Sequence, residues 1–137
     1  MLPFMYYVYA YLISVPVFFV IDMLWLGVVA QKVYQSQLGY LLGPVHWPVA
    51  IVFYLVFLVG LLIFAIAPAL AAKSLTHAVM FGALFGFFTY ATYDLTNWAT
   101  IRDWPWVISL IDMAWGTFLA AVVSSVTYLI FVSFIGS

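Results

Sequence analysis

The chain has 137 residues, 69% of them hydrophobic and only 5% charged, with a formal net charge of −1. Soluble domains carry about 25% charged residues, so a water-soluble globular fold is excluded, and the length allows a single domain. The charge offers no basic footprint for nucleic acid and no polybasic patch for anionic lipid. The absence of cysteine removes disulfides, thiolate metal sites and cysteine nucleophiles together.

Four apolar segments approach or exceed the roughly 20 residues needed to span a bilayer. The first runs from about Phe4 to Ala30. Met1–Leu2–Pro3 carries no Lys or Arg, and no small-residue cleavage pattern precedes Asp22, so this segment is expected to be a retained helix and not a signal peptide. A separator over Gln31–His46 holds Lys32, Gln35, Ser36, Gln37, Gly39 and the turn-forming Gly43–Pro44. The second span covers about Trp47–Ala71, Ala72–Ser74 is a tight polar turn, and the third span covers about Leu75–Ala99. Thr100–Asp103 separates it from a fourth, about Trp104–Ile135, whose Pro105 suits a first helical turn. The expected fold is therefore all-α, a four-transmembrane-helix bundle running up-down-up-down over residues 1–137. Tyr6, Tyr7, Tyr9 and Tyr11 at one end, and Trp47, Trp98, Trp104 and Trp106 at the other, read as the aromatic belts of the two headgroup levels. The positive-inside count is close to balanced, and cytoplasmic termini are the expectation.

Three acids lie inside these spans: Asp22, Asp94 and Asp112. An ionisable group in the bilayer costs at least a few kcal/mol, which makes it a functional-site hypothesis by default. Asp22 precedes its expected helix end by about nine residues, Asp94 by about five, and Asp112 follows its helix start by about eight. At ~1.5 Å per residue all three then fall roughly 8–15 Å from the face that carries the 31–46 segment. Spacing of three residues places two side chains on one helix face, so Trp25 neighbours Asp22, Asn97 neighbours Asp94, and Trp115 neighbours Asp112. Tyr90, Asp94 and Asn97 share an arc of about 60° on the third helix. Gly82-xxx-Gly86 is a small-residue pattern that lets another helix approach closely, and Gly116 and Ala120 offer the same beside Asp112.

Ile21–Asp22–Met23–Leu24–Trp25 is echoed by Ile111–Asp112–Met113–Ala114–Trp115, more loosely by Tyr93–Asp94–Leu95–Thr96–Asn97–Trp98, and Trp-Pro recurs at 47–48 and 104–105. Two related hairpins are one reading, since internal repeats are common in transporters. Chance recurrence in so biased a composition is the other.

The blocks Ile21–Gly27, Tyr34–Gly39, Gly82–Gly86, Tyr90–Asn97 and Asp112–Thr117 resemble the pattern of the small bacterial membrane proteins grouped as domain-of-unknown-function family 2177. The resemblance covers nearly the whole chain and implies a compact four-span protein whose signature residues include the three acids. It implies no activity. The bacterial inner membrane is the compartment it leads us to expect.

If the acids converge, no Lys or Arg within the spans can neutralise them; Arg102 is near the right face and could fold inward. They then share protons, because close carboxylates cannot all ionise, or they hold a cation. Oxygen ligands suit hard ions such as Mg²⁺, Ca²⁺ or Mn²⁺, and Trp25, Trp98 and Trp115 offer cation–π attraction to an organic ammonium. No metal site and no cofactor are assigned. No mid-span Lys is present to carry retinal, and His46 and His77 fall at opposite ends of the bundle. Ser109, Ser124 and Ser125 form no Ser–His–Asp arrangement and read as packing or backbone-bonded residues.

Three functions compete. One is a carrier or binding protein for a proton, cation or small amphipathic molecule, with Asp94 and Asp112 as main acids, Asp22 and Asn97 supporting, and Trp25, Tyr90 and Trp115 as aromatic walls. Another is a membrane-embedded enzyme using paired carboxylates as acid and base on a lipophilic substrate. The last is a structural or accessory subunit in which the acids only lock the bundle. The expected partners are membrane lipids and an unidentified small ligand or ion. A homodimer of eight helices is a natural corollary of the carrier reading, with Gly82/Gly86 one seam.

Overall fold

A computed structural model of the chain describes residues 2–136. Among them every regular element is helical, and four helices are long and apolar enough to cross a membrane: α1 (Phe4–Leu38), α2 (Trp47–Ala72), α3 (Leu75–Thr100) and α4 (Trp106–Phe134). The connections are short and chemically marked. Lys73 takes a left-handed conformation (φ 54°) that ends α2, the Ser74 amide returns to Ala69 O, and the Ser74 hydroxyl accepts the His77 N–H at 3.1 Å to open α3. Large apolar side chains such as Leu12, Val56, Phe88 and Phe118 stay exposed along all four helices. That suits acyl chains as surroundings and would not suit water.

The first helix departs from the expected boundaries. The Gln31–Leu38 stretch, read as part of a separator, is helical and continues α1. Polarity alone does not end a helix. Gln, Lys and Leu are good helix formers, and the stop comes only at Gly39 and the Gly43–Pro44 pair. Asp22 thus lies about four turns from the end of α1, not two and a half. Two stretches, Trp25–Ala30 in α1 and Leu62–Ile66 in α2, are π-helical, and each shifts the angular register of everything that follows it.

The helices do not pack evenly. α3 and α4 share by far the largest contact, α1 lies against α4, and α1 and α2 touch each other little. The α3–α4 seam is built from small residues. A Cβ on Gly82 would lie 2.8 Å from both Ala120 O and Ser124 Cβ, a Cβ on Gly86 would collide with Gly116 O, and one on Gly116 would collide with the Tyr90 ring. The Gly82/Gly86 face, named above as a seam for a second copy, is therefore filled by α4 of the same chain. Beneath it an apolar core gathers Phe18, Leu58, Leu61, Ile66, Leu119, Val123 and Phe131. That core occupies the half of the bundle nearer the termini, and the opposite half is left open.

Gly86→Ala forces backbone apart and should destabilise the bundle by about 1–3 kcal/mol. Gly27→Ala meets nothing within 4 Å and gains helix propensity. Thermal unfolding in detergent should show a clearly lowered Tm for the first variant and an unchanged or raised one for the second. Equal Tm values for the two would contradict the seam.

Candidate functional site

The open half of the bundle holds a cleft of about 780 Å³ walled by all four helices and the 39–46 connection. Asp22 from α1, Asp94 from α3 and Asp112 from α4 all line it, together with Trp25, Tyr90 and Trp115. Asn97 does not. It stands one turn beyond Asp94, beside Tyr93, where its backbone carbonyl accepts the Ile101 N–H at 2.8 Å near the end of α3.

Each acid is held differently. Asp112 is half-buried, and its Oδ1 accepts a 2.6 Å hydrogen bond from the Tyr34 hydroxyl. Asp94 is 0% exposed, and neither of its carboxyl oxygens receives a hydrogen bond from an N–H or a hydroxyl. The polar group it faces is the carboxyl of Asp112. A carboxylate buried without a donor is stable only beside a positive charge or a shared proton. Asp22 is buried at 5% exposure, with the Trp115 indole and the Tyr54 hydroxyl among its polar neighbours. Tyr90 is seated against Gly116, which leaves its hydroxyl within electrostatic reach of all three acids.

Local sequence explains the placement. The two Asp-x-x-Trp motifs lie on α1 and α4, and their tryptophans stack on one another with ring centroids 4.3 Å apart and planes 8° from parallel. Trp115 also faces Asp22, so the motif of each helix supplies a neighbour to the other. Behind Asp94, the Ser109 hydroxyl donates to the Asp94 carbonyl (3.0 Å) and accepts from Trp104 Nε1 (2.9 Å), tying the start of α4 to α3 at this level. Ser109 is thus a backbone-bonded residue, and so is Ser125, which donates to Ala121 O at 2.6 Å. Ser124 is buried without a partner. At the mouth, Tyr40 donates to Asp103 O at 2.8 Å and joins the two connections on that face.

The cations stay away. Lys32, Lys73 and Arg102 are exposed, and among the described residues no Lys, Arg or His lines the cleft. Among the described residues no three His, Cys, Asp or Glu side chains come together as a metal-holding group. The family model described as "predicted membrane protein (DUF2177)" matches residues 7–129. The chain belongs to the DUF2177 family. The match takes in every residue named in the cleft. No curated protein and no solved structure matches the chain.

Sequence reasoning missed Tyr34, Tyr54 and the tie through Ser109. Tyr34 was hidden twice, by the reading of 31–46 as a separator and by the π-helical turn, which breaks the 100° wheel between Asp22 and Tyr34. The one signal that pointed to it is the DUF2177 block beginning at Tyr34. Chemically, the cleft sets three carboxyls in a mostly apolar lining that includes Trp25, Phe53 and Tyr54.

Tyr34→Phe removes the hydrogen bond to Asp112 that pins the end of α1, a bond worth about 1–2 kcal/mol. Hydrogen–deuterium exchange over residues 31–38 should quicken by roughly five- to thirtyfold, with little change in α3. Unaltered exchange there would show that the bond does not hold the segment.

Proposed function

We propose that this protein binds, and by extension carries, a small amphipathic molecule in its acidic, aromatic-walled cleft, with a proton held by Asp94 and Asp112 in the empty state. What supports this reading is that Asp94, fully buried with neither carboxyl oxygen partnered, stands in the wall of a cleft lined by two further acids and, among the described residues, by no Lys, Arg or His. A packing role needs one hydrogen bond for one acid. It gives no reason for three acids on three helices to border the same space. The volume falls inside the roughly 300–1,000 Å³ typical of small-molecule sites, and the lining follows their usual composition, mostly apolar with a few placed polar groups. One chain lines the whole cleft, so this reading requires no second copy. We place it in a bacterial plasma membrane.

The membrane-enzyme reading draws on one specific feature, the facing carboxyls of Asp94 and Asp112, since a proton-sharing pair can act as acid and base in turn. The two readings part at turnover: a binder returns its ligand unchanged.

Native mass spectrometry of the protein released from membranes should reveal a retained small molecule on the wild type. Asp94→Asn or Asp112→Asn should lose most of it, and Ala50→Trp, which fills the cleft from α2, should lose all of it. Identical spectra for the four proteins would overturn the binding reading. Membrane lipids altered by loss of the wild-type gene and not restored by Asp112→Asn would move the assignment to the enzyme.

A further inference from the structure

Resting on the binding reading, the cleft also speaks to the chemical class of its ligand. Its polar groups are three carboxyls, the tyrosines Tyr34, Tyr54, Tyr90 and Tyr93, and the neutral Gln31, Gln35 and Thr89. Its charge is thus entirely acidic, with no base from any of the four helices to balance it. Asp94 is the sharpest element, being 0% exposed with both oxygens unpartnered. A carboxylate in such surroundings is stable only beside a positive charge or a shared proton. The walls then decide what kind of positive charge fits. A hard metal ion asks for six or more oxygen ligands at short range, and the acids do not gather into such a group. The lining offers aromatic faces and edges instead, led by the stacked Trp25–Trp115 pair directly beside Asp22. Aromatic rings together with carboxylates recognise a diffuse, weakly hydrated cation on an apolar body.

We propose that the ligand of this cleft is a lipophilic organic cation, a quaternary or protonated onium centre on an aromatic or branched apolar frame, whose charge sits among Asp22, Asp94 and Asp112. On entry the cation replaces the proton held between Asp94 and Asp112. That proton leaves to water, no covalent bond is made or broken in the ligand, and the net charge of the site is conserved.

The test uses the full chain in lipid nanodiscs and three probes of similar size and differing charge: tetraphenylphosphonium, neutral triphenylphosphine oxide and the tetraphenylborate anion. Tryptophan fluorescence reports binding, and a pH indicator in weakly buffered solution reports protons. Empty nanodiscs set the background for partition into lipid. Tetraphenylphosphonium carries no proton, so any proton released comes from the protein. The expected result is saturable binding of the cation at least about tenfold tighter than the neutral probe, no saturable binding of the anion, and about one proton released per cation bound. Asp94→Asn should bind the cation more weakly and release no proton, and Asp22→Asn should weaken binding while retaining release. The probe series on the wild type needs no variant, so a misfolded mutant does not leave the question open. Equal affinity for the cation and the neutral probe would overturn the cation assignment and leave the binding reading standing. No saturable signal from any probe, together with no retained molecule in the mass spectra, would remove both.

Discussion

The backbone contact of α3 on α4 is the constraint on which the rest depends. Helices ordinarily pack 8–10 Å apart. Gly82, Gly86 and Gly116 leave no room for a Cβ at the contact, so α3 and α4 run as one tightly joined unit. That approach sets the Asp94 carboxyl against that of Asp112 and lays the Tyr90 ring on Gly116. It also explains why the cleft opens elsewhere. With α3 and α4 sealed together and α1 leaning on α4, the space left over lies between these three and the loosely attached first part of α2.

Within that frame the acids are held by unequal means, and the inequality is informative. Asp112 has a tyrosine, Asp22 has an indole and a phenol nearby, and Asp94 has only the carboxyl of Asp112. A bundle that used its acids as packing devices would bury each with its own donor, as Ser109 is buried with Trp104 and the Asp94 carbonyl. Asp94 is the one that needs something from outside the chain, whether a proton or a ligand.

Much of this was readable from residues alone, for physical reasons. Spans announce themselves because the bilayer tolerates little else, and the acids stand out because charge in hydrocarbon is costly. The i, i+3 spacing marked Trp25 and Trp115 as companions of the acids, but gave no sign that Trp115 would face Asp22 of the other helix, a pairing that only the packing of α1 on α4 creates. The α3 wheel put Asn97 with Tyr90 and Asp94, but angle is only one coordinate. Asn97 lies one turn farther along the axis, toward the end of α3, and is not among the residues that line the cleft. Tyr34 failed for the opposite reason, since the π-helical turn alters the angle itself. Tyr54 lies on a helix apolar on every side, where nothing in the pattern marks an inward face. The two-hairpin reading of the repeats finds unequal hairpins: α3–α4 is tight and α1–α2 is loose, and the closest echo, Asp22–Trp25 with Asp112–Trp115, joins the first helix to the last.

The central claim is that helices distant in sequence bring their acids to one cleft, and the cysteine-free background allows it to be tested directly. Cysteines replacing Trp25 and Trp115 should be joined within one chain by a short bis-maleimide in intact membranes, giving a monomer of altered mobility, while either single replacement gives none. Cross-linked dimers alone, or no intramolecular product, would mean that α1 and α4 do not meet at this level, and the shared cleft would fall with them.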